Sequence, residues 1–284
     1  MDKTSEKKEI DCKSVIYNEE GDKYNRCELD VPFVPTPYSV INEMLSIAKT
    51  TPSDIVFDLG CGDGRIVIVA AKDFNAFATG FDIDSHRISE CLINAQKAGI
   101  SRKVSFLNKN FFDISLSEAS VVTMYLLTNI NVRLRQKLFD ELKPGSRVIS
   151  HDFHMDSWIA DFRSTFEGHT LYLWIIPANF SGIWSWQMPE CYGAEFCTLE
   201  ISQLFQKATL NFQQPAFYTP ESILIKGNLV EIRYHSNIKS REKFFLLRGT
   251  IEHNSINGMI IQTGKPISDW HAQRNSSTIK DISS

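Results

Sequence analysis

Three features are missing from this sequence, and each absence excludes a class of protein. The six cysteines include no CxxC pair and no cysteine–histidine set with zinc spacing, so we expect free thiols and no metal site. No uncharged apolar stretch of about 18 residues occurs, and the N-terminus has no apolar signal segment; we therefore expect a cytoplasmic protein without a membrane partner. No segment is strongly basic and the net charge is -4, which disfavours duplex nucleic acid as a partner.

The first half of the chain instead contains apolar strands that alternate with amphipathic helices. This alternation predicts an α/β fold with a doubly wound sheet. We expect Thr36 to cap the first helix, Ser85 to cap the helix after the second strand, and Gly99 to end that helix. The predicted strands are Ile55 to Leu59, Phe77 to Ile83, Val104 to Leu107, Ala119 to Leu127, Arg147 to Phe153 and His169 to Ile176, and the last helix is Leu134 to Leu142.

After residue 176 the helical period disappears and short alternating runs take its place. Turn signals such as Lys226-Gly227-Asn228 and Asn257-Gly258 separate these runs, which predicts a small C-terminal antiparallel β domain. We therefore expect a polar N-terminal arm at 1–30, an α/β domain at 31–176, an accessory β domain at 177–274 that modifies substrate choice, and a flexible tail at 275–284.

The first predicted strand ends in a glycine-rich loop that opens directly into a helix. The loop reads Asp58-Leu-Gly60-Cys-Gly62-Asp-Gly64-Arg65, and its three glycines allow the backbone to approach a ligand closely. The helix N-terminus favours a carboxylate and Asp58 suits an ammonium group, as in the methionine end of S-adenosyl-L-methionine. Arg65 stands where dinucleotide-binding folds need a small residue, which argues against NAD.

Two further positions fit the rest of this cofactor. Asp82 ends the second strand about 20 residues beyond the glycine loop, where a carboxylate would accept both ribose hydroxyls. Asn110 and the backbone N–H of Phe111 follow the third strand, where we expect them to meet the adenine ring.

Several segments together resemble a known enzyme family. The glycine loop, Gly80-Phe-Asp-Ile-Asp84, VPFVPTP at 31–37, VVTMYLLTNIN at 121–131 and LKPGSRVISHDF at 142–153 resemble the class I, seven-β-strand protein-lysine methyltransferases, which include archaeal broad-specificity and mitochondrial enzymes. The likeness covers residues 31–176 and implies a Rossmann-like sheet, S-adenosyl-L-methionine as cofactor and a protein substrate that presents lysine. It also implies that Thr36 and Tyr38 border the cofactor and that Tyr125 to Asn129 line the methyl-transfer channel.

The chemistry of methyl transfer is consistent with that channel. In-line displacement at the sulfonium carbon needs a neutral nucleophile held about 3 to 3.5 Å from the methyl group. A lysine amine, with a pKa of about 10.4, loses its proton more readily in a desolvated channel with polar acceptors. We therefore take Tyr125, Thr128 and Asn129 as candidate catalytic residues, with Asn131 beside them. No Asp/Asn-Pro-Pro-Tyr/Phe motif follows the fourth strand, which disfavours the adenine and glutamine N-methyltransferases.

Two alternatives of other classes stay open. One is a methyltransferase for a small molecule or another acceptor, and the other is a non-catalytic protein that binds the cofactor. We expect His151 and His154 to be hydrogen-bonded scaffold residues and Asp152 to be a candidate substrate contact. The remaining residues that we singled out are predicted to fill the core of the β domain and its seam with the sheet: Trp174, Trp184, Trp186 and Trp270.

Overall fold

A computed structural model describes residues 15–17, 23–25, 33–188, 196–214, 218–238, 241–262 and 264–283. The chain divides into two compact units, residues 1–35 and residues 36–284. In the first unit, strands β1 (Val15–Tyr17) and β2 (Lys23–Asn25) form an antiparallel pair. The rest of the predicted polar arm, with Cys12 and Cys27, lies outside the described residues, as does Cys191.

The second unit begins with a seven-stranded sheet of order β5-β4-β3-β6-β7-β9-β8. The first five strands in this order are parallel, and β9 runs antiparallel to both of its neighbours. The strands are β3 (Ile55–Leu59), β4 (Phe77–Asp82), β5 (Val104–Asn108), β6 (Val121–Met124), β7 (Arg147–His151), β8 (Phe162–Phe166) and β9 (His169–Ile175). The helices are α1 (Tyr38–Ile47), α2 (Arg65–Lys72), α3 (Ser85–Ala98) and α4 (Thr128–Glu141). This arrangement confirms the predicted doubly wound, Rossmann-like fold.

The boundary between β6 and α4 differs from the prediction. The strand ends at Met124 rather than Leu127, and the helix begins at Thr128 rather than Leu134. The physical reason is that Ile130, Leu134 and Leu138 are all buried at helical spacing, so the apolar run that reads as strand continues as the buried face of a helix. Strand β8 was not predicted, because it is an edge strand with partly exposed side chains and no continuous apolar run.

Two helix caps were also assigned wrongly. Pro37 is the N-cap of α1, and the Thr36 hydroxyl instead hydrogen-bonds to a distant histidine ring. Asp84 caps α3 by accepting from the backbone N–H of His86, whereas Ser85 is the first residue of the helix. Gly99, at φ 73°, ends α3 in the left-handed conformation as predicted.

The C-terminal antiparallel β domain is also confirmed. Its eight strands have the order β12-β11-β10-β17-β16-β15-β14-β13, so consecutive strands pair except β12 and β13, which end the order, and β17 closes back onto β10. The strands are β10 (Gly182–Gln187), β11 (Phe196–Leu204), β12 (Lys207–Gln214), β13 (Tyr218–Lys226), β14 (Leu229–Ile238), β15 (Arg241–Glu252), β16 (Ser255–Gln262) and β17 (Lys265–Arg274).

Of the two turns predicted in this domain, the structure contains one. Gly227-Asn228 joins β13 to β14, but Asn257-Gly258 lies inside β16, where Gly258 pairs with Gly249 of β15. A Cβ atom at Gly258 would meet the carbonyl oxygen of Arg248, so this glycine permits close strand approach rather than a turn. Trp184, Trp186 and Trp270 fill the core of the domain, as expected.

An aromatic seam joins the β domain to the α/β sheet. Phe205, in the turn between β11 and β12, packs on Trp158 and on Phe139 of α4, with ring centroids 5.9 Å apart in each case. Trp158 donates its indole N–H to Gln206, and it also packs against the buried Trp174 of β9. The seam therefore fixes the β domain against one face of α4.

The C-terminal segment was predicted to be a flexible tail, but the structure packs it against this seam. Residues Ser276–Thr278 form one turn of 3-10 helix. The carbonyl of Ile282 accepts from the backbone N–H of Phe205, and Ser283 hydrogen-bonds to Gln136 of α4. Both residues are buried, because apolar Ile282 provides an anchor that the Ser/Thr-rich composition conceals. Over the described ranges, the helices are too short or too polar to cross a bilayer.

Candidate active site

The candidate site lies where three parallel strands end side by side. The register aligns Leu59 at the end of β3 with Met124 at the end of β6, and Met124 with Ser150 near the end of β7. The residues that follow these strands therefore share one edge of the sheet, the edge at which α/β folds bind ligands. The glycine loop, Tyr125 and His151 are consequently neighbours, although they are far apart in sequence.

The glycine loop has a conformation that only glycine adopts without strain. Gly60, Gly62 and Gly64 have φ values of 77°, 53° and 80°, all in the left-handed region. The backbone N–H groups of Gly60 and Cys61 both donate to the carbonyl of Phe81 at the end of β4, which fixes the loop across the sheet edge. The loop then opens into α2, whose N-cap is Gly64.

Side chains pack tightly beneath this loop. A Cβ atom at Gly64 would lie 2.8 Å from the ring of Phe106 and 2.9 Å from the sulfur of Cys91. Cys61 and Cys91 are both buried, with their sulfur atoms 3.9 Å apart, and the Cys91 thiol donates to the carbonyl of Gly62. They are free thiols, as is the buried Cys197. The hydrogen bond with the Cys91 thiol, together with burial, raises the pKa of Cys61, so Cys61 packs the loop as an uncharged group.

Asp58 is buried directly beneath the glycine loop. One of its carboxylate oxygens accepts from the Thr123 hydroxyl of β6 at 2.7 Å. Burial raises the pKa of Asp58 to about 7, and the nearby carboxylates Asp82 and Asp63 act in the same direction. A cationic ligand group at this position would therefore stabilise the charged form of Asp58.

Asp82 at the end of β4 is held by backbone donors. Its two carboxylate oxygens accept from the N–H groups of Gly62 and Asp84, at 2.9 and 3.0 Å. Burial raises the pKa of Asp82, while these two hydrogen bonds lower it. Because each carboxylate oxygen can accept two hydrogen bonds, the group keeps capacity for the ribose hydroxyls.

Asn110 and Phe111 follow β5 on the same side of the sheet. The Asn110 side-chain oxygen accepts from the N–H of Phe112, which closes a turn over residues 110–113. Phe111 is buried, and Arg133 of α4 lies 4.6 Å from the ring of Phe112. The turn is thus fixed from both sides.

Thr36 and Tyr38 meet the site through Arg65. The Arg65 guanidinium donates to the backbone carbonyl of Thr36 at 3.1 Å and lies 5.3 Å from the ring centre of Tyr38. The hydroxyl of Thr36 contacts the Nδ1 atom of His151 at 3.1 Å. Thr36 therefore connects the first turn of α2 to the end of β7.

The predicted catalytic residues occupy the beginning of α4. Tyr125 follows β6 directly and stacks on His151, with ring centroids 3.8 Å apart. Thr128 and Asn129 are the first two residues of α4 and are partly exposed and exposed, respectively. Asn131 is instead completely buried and donates to the Ser150 hydroxyl and the Phe153 carbonyl, so it ties α4 to β7.

A cluster that the sequence did not predict lies beside Tyr125. His151, Asp152 and His169 bring their side-chain nitrogen and oxygen atoms within 4.8 Å of one another. Because β9 runs antiparallel to β7, its first residue, His169, returns to the edge where β7 ends. Asp152 has φ 59°, and this left-handed backbone accompanies a side chain directed toward His169. Asp152 and His169 are 17 positions apart in the sequence, which conceals their proximity.

Comparison with known proteins agrees with this geometry. Residues 58–162 match the family described as the ANTKMT methyltransferase domain. A protein-lysine N-methyltransferase from Saccharolobus islandicus is 50% identical over 151 residues, which span 51% of this chain and 94% of that protein. A mouse adenine nucleotide translocase lysine N-methyltransferase is 32% identical over 130 residues, or 46% of this chain and 56% of the mouse protein.

One solved structure is also similar. It is described as an RNA methyltransferase from Salinibacter ruber in complex with S-adenosyl-L-homocysteine, and it has 42% identity and a TM-score of 0.51. The match covers 55% of this chain and 97% of the Salinibacter chain. The fold, the glycine-loop site and the match to almost the whole archaeal enzyme agree: this chain belongs to the S-adenosyl-L-methionine-dependent protein-lysine methyltransferase family.

Proposed function

We propose that this protein transfers the methyl group of S-adenosyl-L-methionine to lysine ε-amines of a protein substrate. The observation that carries this proposal is the common sheet edge, where the glycine loop after β3 lies next to Tyr125 after β6. The 50% identity to the archaeal enzyme supports lysine as the acceptor. Because the matched relatives correspond to only about half of this chain, the β domain is assigned no activity of its own.

The residues of the site fit each part of the cofactor. The N-terminus of α2 and the left-handed glycines would receive the methionine carboxylate, and Asp58 would pair with its ammonium group. Asp82 would accept the ribose hydroxyls, while Asn110 and the N–H of Phe111 would meet the adenine. This order follows the carboxyl ends of β3, β4 and β5 across the sheet.

The acceptor would approach from the side of β6 and β7. A lysine stem is long enough to pass along the ring of Tyr125, with its nitrogen near the polar groups of Thr128 and Asn129. The Tyr125 and His151 rings, with centroids 3.8 Å apart, would form one wall of this passage and limit the access of water to it. A passage that excludes water favours the neutral amine, which is the nucleophile that methyl transfer requires.

A second acceptor class follows from the Salinibacter structure, which is described as an RNA methyltransferase. The formal net charge of -4 and the absence of a basic segment disfavour it, because phosphate contacts supply most of the affinity for nucleic acid. We therefore propose a protein rather than RNA as the partner. The cytoplasmic location stays a prediction.

The proposal is tested by incubating the protein with methyl-labelled cofactor and a whole-cell lysate. We expect label in protein, on lysine as located by mass spectrometry, and its loss when lysine amines are chemically blocked beforehand. Asp82→Ala is the matched control: it should lose about 1.5 to 3 kcal/mol of cofactor affinity while remaining folded, and so lose labelling at low cofactor concentration. Label only in RNA or in small solutes would contradict the proposal.

A further inference from the structure

We propose that His169 is the base that takes the proton from the incoming lysine ammonium, and that Asp152 is the positioning residue that holds its ring. The inference deepens the proposed function and rests on it. It assigns a task to a cluster that the cofactor site does not use.

The geometry of the pair is that of an oriented imidazole. The Nδ1 atom of His169 lies 2.9 Å from one carboxylate oxygen of Asp152, and the other oxygen accepts from the backbone N–H of Thr170 at 2.7 Å. A neutral imidazole that donates from Nδ1 carries its lone pair on Nε2. The His169 side chain is about one-third exposed, at 31%, so a substrate can reach the ring from solvent.

The cluster lies on the acceptor side of the sheet edge. His169 packs edge-on against His151, with ring centroids 4.5 Å apart, and His151 stacks in turn on Tyr125. Tyr125 is the wall along which we propose the lysine stem to pass. The Asp152 carboxylate and the His169 ring lie where β7 ends, on the side from which we propose the acceptor to approach.

The charges of the cluster suit a cationic substrate. Burial acts to raise the pKa of Asp152. The hydrogen bonds from His169 and Thr170, together with the two nearby histidines, outweigh burial and lower this pKa below its usual value, so the carboxylate is ionised. Burial lowers the pKa of His151 to about 4, so His151 is neutral near pH 7. Among the described residues, the titratable groups in contact with the His169 ring are Asp152 and the neutral His151, and Tyr125 lies on the other side of His151.

The proposed step balances in atoms and charge. The ε-ammonium gives one proton to Nε2 of His169, which becomes an imidazolium paired with the Asp152 carboxylate. The neutral amine then attacks the methyl carbon, the carbon–sulfur bond breaks, and its electron pair remains on sulfur. The product is a methylated ammonium, which can lose its own proton after release.

The test compares His169→Gln and Asp152→Asn with the wild-type protein in single-turnover methylation of a lysine-containing protein substrate. His154→Gln is the matched control, because His154 is an exposed histidine two residues after Asp152, and its ring accepts from the backbone N–H of Asp156. We expect His169→Gln to lower the rate about 100-fold or more at neutral pH, with a defect that shrinks as pH rises toward the pKa of free lysine. Cofactor affinity should be unchanged, and His154→Gln should behave as wild type.

The outcomes separate this inference from the proposed function. If the wild-type protein labels no lysine, the proposed function fails and the inference falls with it. If lysine is labelled but the His169→Gln defect is absent, or is the same at every pH, the inference alone fails. Loss of wild-type activity on treatment with a chelator would also overturn it, because the cluster would then act through a metal ion rather than as a proton acceptor.

Discussion

At the scale of single residues, the two carboxylates under the glycine loop, Asp58 and Asp82, are stabilised differently. Asp82 accepts from two backbone N–H groups, whereas Asp58 accepts from a hydroxyl, that of Thr123. Burial therefore raises the pKa of Asp58 to about 7. Because an unfolded aspartate has a pKa of about 3.9, the folded chain binds more protons between these values, and its stability falls as pH rises through this window.

This asymmetry makes cofactor binding dependent on pH. The cofactor ammonium favours ionised Asp58, so affinity should rise with pH through about 7 and then level off. Asp58→Asn should bind more weakly and remove that part of the slope. Calorimetry from about pH 5.5 to about pH 8.5 measures both affinities, on either side of this pKa. Identical slopes in the two proteins would show that Asp58 does not titrate on binding.

The sequence could predict residues whose role depends on neighbours along the chain. The glycines, Asp58 and Asp82 belong to this group, because each stands at the end of a recognisable strand. Thr36 and His169 do not: Thr36 contacts a ring 115 residues away, and His169 meets Asp152 only because β9 reverses direction. The spacing of residues along the chain does not indicate such long-range contacts.

At the scale of elements, the turn from β3 into α2 is the tightest structure of the site. Gly64 combines a left-handed backbone with direct packing on Phe106 and Cys91. Gly99 has a similar φ of 73°, but no atom lies within 4 Å of its missing Cβ. A side chain at Gly64 would therefore meet both backbone strain and crowding, whereas a side chain at Gly99 would meet backbone strain alone.

Alanine substitutions at these two positions should have different costs. Gly99→Ala should lower the free energy of unfolding by about 1 to 2 kcal/mol, the cost of left-handed backbone. Gly64→Ala should lose about 1 to 3 kcal/mol more, because its methyl group also overpacks the loop, and it should weaken cofactor binding. Denaturant unfolding and calorimetry measure these quantities. Equal losses in the two variants would rule out crowding at Gly64.

Element boundaries were harder to predict than element order. The run from Val121 to Leu127 is apolar except for Thr123, so its period does not show where strand becomes helix. The structure resolves this, because α4 begins at Thr128 and its buried residue Asn131 donates to Ser150 of β7. The sequence order of strands and helices, by contrast, was sufficient to predict the doubly wound sheet.

At the scale of the whole molecule, α4 links the candidate site to the β domain. Its first residues, Thr128 and Asn129, border the proposed acceptor passage, and Phe139 near its other end packs on Phe205 of the β domain. We propose that residues 177–274 act as an accessory domain that influences substrate choice through this helix. The residues that we propose to bind the cofactor all precede that domain.

Truncation after Ile176 tests this division. We expect the shortened chain to keep its cofactor affinity, because Asp58, Asp82 and the glycine loop are retained. It should also lose solubility, since removing Phe205 and Gln206 uncovers Phe139 and Trp158. Cofactor binding at low protein concentration, followed by tryptophan fluorescence, measures the first effect. A soluble truncated chain that cannot bind cofactor would contradict the separation into two functional parts.

The sulfur pair beneath the glycine loop bears on how inhibition by thiol reagents should be interpreted. The sulfur atoms of Cys61 and Cys91 are buried 3.9 Å apart, and Cys91 packs on Gly64, which has no space for an added carbon atom. A mercurial or alkylating group on either sulfur would force the loop outward and abolish cofactor binding. Such inactivation would resemble the loss of a catalytic nucleophile, yet its cause would be steric. Protection by saturating cofactor would likewise report that the loop is closed, not that a cysteine takes part in the chemistry.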